Sequence, residues 1–102
     1  MRIYATHCSA KKNNSLKDSG EKVAPDELYT SRRIQRFMGV CKSKRANWAI
    51  FSDLYGVWFP TVEHRWYEKP PSSVTEKEFI GLLSDFDKQL RSYDEIWFYY
   101  NP

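Results

Sequence analysis

The chain has 102 residues, 28% charged, 41% hydrophobic and 17% aromatic, with a net charge of +3. That length supports one modest core and so a single α/β domain over 1–102, a fragment or minimal form of a longer one. The mean hydropathy of −0.70 and the lack of any apolar run near about 18 residues exclude a membrane span.

Met1 to Thr6 has neither the apolar core nor the small-residue cleavage site of a signal peptide, so cytoplasm is the expected setting. Cys8 and Cys41 stand apart, in no metal-ligand spacing, and His7 and His64 are isolated. No disulfide, metal or cofactor is expected. Charge is divided unevenly. Residues 1–45 carry eleven Lys/Arg against four Asp/Glu, and residues 46–102 carry five against nine. Arg32, Arg33, Arg36, Lys42, Lys44 and Arg45 follow one another with no acid among them. Such a run is either a solvated helix face or an electrostatic footprint for phosphates.

In chain order, Ile3 to Cys8 is short, apolar and β-prone, which predicts a first strand near 2–8. The polar tract 9–21 is a long loop. Thr30 or Ser31 then caps a helix near 31–44, with Ile34, Phe37, Met38 and Cys41 on one apolar stripe. The run Asn47-Trp48-Ala49-Ile50-Phe51-Ser52 has the character of a strand buried on both faces. It breaks into Asp53, Tyr55 and Gly56, the place where open α/β sheets bind ligands.

The stretch 56–73 is irregular, with Trp58, Phe59, Trp66 and Tyr67 as anchors too apolar to leave in water. Thr75 and Glu78 form a capping box opening a helix near 75–91, whose stripe is Phe79, Leu82, Leu83, Phe86 and Leu90. Ile96 to Tyr100 is a third strand, near 95–100.

The pattern is a small three-layer βαβαβ unit with a short, mainly parallel three-stranded sheet; in order 2-1-3 or 3-1-2, with the first strand central, one helix would cover each face. The expected core is Ile3, Ile34, Phe37, Met38, Ile50, Phe51, Phe79, Leu82, Leu83, Phe86, Ile96 and Phe98. Without a glycine-rich phosphate loop, a conventional nucleotide cradle is disfavoured.

Three short motifs carry a resemblance. Cys8-Ser9-Ala10-Lys11-Lys12, Leu28-Tyr29-Thr30-Ser31 and Ser52-Asp53-Leu54-Tyr55-Gly56, with Trp66-Tyr67-Glu68 further on, resemble the Cys-Ser-x-Lys-Lys, Leu-Tyr-x-Ser and Ser-x-Lys-Tyr-Gly motifs of an uncharacterised microbial α/β family. That family is distantly similar to YaaA-type peroxide-stress proteins and to accessory domains of deazaguanine modification of tRNA and DNA. By analogy, the resemblance implies a nucleic-acid association. Leu54 departs from the pattern, which has Lys there, and related chains continue beyond a terminal Asn-Pro.

The function expected is therefore a nucleotide- or nucleic-acid-associated domain binding an anionic group at the carboxyl ends of the strands. Ser9, Lys11, Ser52 and Tyr55 are the candidate anion-binding residues, and Arg32, Arg33 and Arg36 would steer nucleic acid. Two other classes compete. One is a protein-protein interaction module using the aromatic loop 57–71. The other is an enzyme with Cys8 as nucleophile, whose pairing with His7 is opposed by the alternating side-chain directions of a strand.

Overall fold

A computed structural model describes residues 1–99. Strand β1 (Arg2–His7) is followed by a 3-10 turn at Asn14–Leu16, strand β2 (Lys22–Val23), helix α1 (Pro25–Leu28) and helix α2 (Arg32–Ser43). Then come strands β3 (Asn47–Ser52), β4 (Gly56–Trp58) and β5 (His64–Arg65), and a 3-10 turn at Pro71–Ser73. Helix α3 (Glu76–Leu90) and strand β6 (Glu95–Tyr99) complete the described chain.

The main sheet runs β4-β3-β1-β6. Strand β1 lies parallel to β3, with Tyr4 opposite Trp48, and parallel to β6, with Tyr4 opposite Trp97 and Thr6 opposite Tyr99. The first strand is central, flanked by β3 on one side and β6 on the other. The expectation of three strands needs one correction: β4 adds a fourth, antiparallel to β3 with Ser52 opposite Gly56, so the sheet is mixed. The hairpin turns at Gly56, whose φ of +76° favours glycine, and a Cβ there would collide with the Asp85 carboxylate. That carboxylate accepts the Val57 amide at 2.9 Å and ties α3 to the hairpin. A second ladder pairs β2 with β5.

Side-chain alternation sends Trp48 and Ile50 into one cluster with Ile34, Met38 and Cys41 of α2. It sends Ile3, Ala49 and Val57 into another with Leu90 of α3, against which Phe86 and Phe51 also pack. The two helices therefore cover opposite faces. Both caps form as the sequence implies: the Ser31 hydroxyl accepts the Ile34 amide, and Thr75 and Glu78 make a reciprocal box. The aromatic stretch packs down, with Trp58 and Tyr67 buried.

The expected core holds at Ile3, Ile34, Met38 and Ile50 but fails along one side of the molecule. Phe79, Leu83, Ile96 and Phe98 are 53, 48, 49 and 39% exposed, and Phe37, Phe51, Leu82 and Phe86 are half-buried. Helix α3 packs mainly beside β4. Strand β6 is the sheet edge among the described residues, and an apolar stripe is buried only where another element meets it.

Candidate functional site

Two polar assemblies stand out. The first is at the carboxyl ends of β1 and β3. Ser52 is 1% exposed, and its hydroxyl accepts the Leu54 and Tyr55 amides at 3.2 and 3.0 Å while donating to the Tyr67 hydroxyl at 3.1 Å. Tyr67 in turn meets the Tyr29 hydroxyl at 2.5 Å. Lys12, drawn inward by its bridge to Tyr29, holds its ammonium 4.4 Å from the Tyr67 ring centre. The Cys8 thiol faces Asp53 Oδ2 at 3.7 Å.

Burial sets the charge of this network. It pushes the Tyr29 and Tyr67 phenols and the Cys8 thiol up, and the Lys12 ammonium down. A thiol raised by desolvation is poorly suited to be a nucleophilic thiolate. The His7 ring packs edge-on against Phe98, with centres 4.8 Å apart, so it is engaged away from Cys8.

The four residues expected to bind an anion are placed here with unequal freedom. Lys11 is exposed and Ser9 reaches only the Lys11 carbonyl, at 3.4 Å. Ser52 has its hydroxyl committed as described. Tyr55 stacks on His64, with ring centres 3.8 Å apart, and donates to the Arg65 carbonyl at 3.1 Å. The inward-facing cation of this edge is Lys12, not Lys11. Its neighbour's exposure follows from strand-like alternation across the bridge, a signal visible only once Tyr29 is known to be the partner.

The second assembly is a groove of about 530 Å³ between α2 and the β1–β6 side of the sheet. Arg32, Arg33, Arg36 and Lys44 line it together with Tyr4, Phe37 and Tyr99. The three arginines expected to steer nucleic acid are thus brought together, and Lys44 joins them from the other end of the helix. Arg33 is anchored: it donates to Thr6 Oγ1 at 2.7 Å and to the His7 carbonyl at 3.0 Å. Thr6 is wholly buried and donates to the Tyr99 carbonyl at 2.8 Å, linking the cation to the edge strand. A guanidinium carries about five N–H donors, so a fixed Arg33 keeps donors for a ligand. Its contact with the His7 carbonyl puts this end of the groove at the carboxyl end of β1.

The aromatic wall was missed in the sequence. Tyr4 and Thr6 share one face of β1, and Trp97 and Tyr99 share the same face of β6. Period-two alternation would have grouped them once the two strands were known to be neighbours. Among the described residues no cluster of His, Cys, Asp and Glu is suited to a metal ion, and no helix is long and apolar enough to cross a membrane. Compared with family models, curated proteins and solved structures, the chain matches none of them.

Proposed function

We propose that this chain is a nucleotide- or nucleic-acid-associated domain that binds a phosphate-bearing ligand in the groove beside α2. The observation that carries this reading is the groove itself: three arginines and a lysine line it along α2, facing Tyr4 and Tyr99, with Arg33 at the carboxyl end of the central strand. Guanidinium groups bind phosphate oxygens through paired, charge-assisted hydrogen bonds, and aromatic walls accept bases. Kinship with the microbial α/β family whose motifs the chain resembles, and a cytoplasmic setting, belong to the same proposal.

The competing classes have less geometry behind them. In the loop 57–71, Trp58 and Tyr67 are buried in the core and so are not offered to a partner. The Cys8 thiol is held neutral by burial.

The test is a titration of nucleotides and short oligonucleotides into wild-type protein and an Arg32→Ala/Arg36→Ala variant at low and high salt. Wild-type affinity should fall steeply with salt, and the variant should bind more weakly with a shallower salt dependence. Equal binding by both proteins, or binding that ignores salt, would remove the groove from the function. Lys11→Ala, measured alongside, tells whether the exposed lysine of the strand edge takes part.

A further inference from the structure

We infer that the groove is built for single-stranded nucleic acid, with unpaired bases lying on the sheet and phosphates following α2. The inference rests on the reading of the groove given above and narrows it to one class of ligand.

The sheet supplies the first argument. Among the described residues strand β6 is the edge strand, and Trp97 and Tyr99, on the same face of it, are 50 and 52% exposed, Tyr99 lining the groove and Trp97 lying just beyond it opposite Tyr4. Tyr4 lies between them on β1, its ring centre 6.2 Å from that of Trp97 and 6.0 Å from that of Tyr99. The interplanar angles are 52° and 40°, so neither ring stacks on that of Tyr4. Three adjacent aromatic side chains at the β6 edge of the face that α2 covers only in part, with the Phe37 ring centre 5.5 Å from that of Tyr99, form a platform, and base stacking is tolerant of sequence because every base has a π-face. A duplex keeps those faces inside its own stack and can offer such a platform only its backbone.

Charge supplies the second. Arg33, Arg36 and Lys44 lie along one side of α2, a 12-residue helix and hence about 18 Å long. That length exceeds one nucleotide and suits a backbone running past several bases. At the far end Arg2 lies over Trp97, 4.7 Å from its ring centre, but is paired with Glu95 at 2.8 Å. The net positive wall is therefore the helix side, opposite the rings. A strand entering the groove would have its two chemically different sides matched by two different walls.

The experiment compares a ten-nucleotide single strand, the same sequence as a duplex, and a nucleoside monophosphate, each titrated at low salt. The proteins are wild type, Trp97→Leu, Tyr99→Leu and Trp97→Phe. Leucine keeps apolar bulk over the sheet while removing the π-face, and circular dichroism confirms that each variant is folded. The single strand should bind about tenfold or more tightly than either competitor. Each leucine variant should lose roughly five- to tenfold for the single strand alone, and Trp97→Phe should retain most of the affinity. Binding of duplex and single strand with equal affinity, unaffected by the leucine variants, would overturn the inference while leaving a phosphate-binding groove. Absence of binding to any of the three would overturn both.

Discussion

His64 shows how a single side chain acquires a function in stability from its neighbours. Its ring lies parallel to Tyr55 and edge-on to Trp58, with centres 3.8 and 4.8 Å apart. Burial first, and then the Lys22 ammonium, hold its pKa below the ordinary value of 6.5. The folded chain therefore takes up this proton less readily than the unfolded chain. The stabilising contribution is complete above about pH 6.5 and is lost as the pH falls through the lower folded value. Thermal melts should accordingly show Tm falling as the pH is lowered below about 6.5. His64→Phe, which keeps the stack without the proton, should flatten that slope. An unchanged slope would assign the acid sensitivity to other groups. Nothing in the sequence around His64 distinguishes it from a surface histidine, because Tyr55 and Trp58 reach it only through the β3–β4 hairpin.

At the scale of elements, the local signals were the legible ones. The Thr75 hydroxyl accepts the Glu78 amide at 3.1 Å, and the Glu78 carboxylate accepts the Thr75 amide at 3.0 Å. Lys69 joins the same carboxylate at 2.9 Å and, as the leading cause, helps hold it down at about 2. The depressed pKa means that this stabilisation is present above the ordinary carboxylate value of 4.5 and is lost as the pH falls through about 2. Thr75→Ala should cost about 1 kcal/mol in urea melts at neutral pH, the usual magnitude for a lost helix cap. A cost near zero would mean that α3 is held by its packing on β4 and the hairpin alone.

The capping box could be read directly because all its parts lie within four residues. The two-residue strands β2 and β5 were not legible, since neither run is long enough to show a period of two. The same is true of β4: Gly56-Val57-Trp58 looks like part of an irregular loop until Asp85 and β3 hold it in place.

For the whole molecule, burial is lopsided. The α2 face and the strands beneath it hold wholly buried Ile34, Ile50 and Trp58, while the free sides of α3 and β6 leave large apolar side chains half in water. Ile34→Ala should therefore cost about 2–5 kcal/mol, as expected for a filled core position. Leu83→Ala, on a stripe that reads as core in the sequence, should cost less than about 1 kcal/mol, because a side chain 48% exposed leaves little cavity behind. Denaturant melts of the two variants compare these directly. Equal large losses would show that the outer side of α3 is covered in solution.

By itself, the sequence determined the class of the fold, both main helices with their caps, and the gathering of arginines on α2. Each of these follows from short-range chemistry: periodicity, hydroxyl caps and the spacing of charges along one helix. Only the tertiary structure decided which apolar stripes were covered and which lysine of Lys11 and Lys12 turned inward. It alone placed Tyr4, Trp97 and Tyr99 side by side on one face of the sheet, with Tyr4 and Tyr99 lining the groove beside the arginines. Tyr4 and Tyr99 are 95 positions apart in the chain and become neighbours only through the parallel pairing of β1 with β6. A linear pattern records how hydrophobic a face is. What that face meets depends on backbone pairing between distant segments, and this is where the candidate site is made.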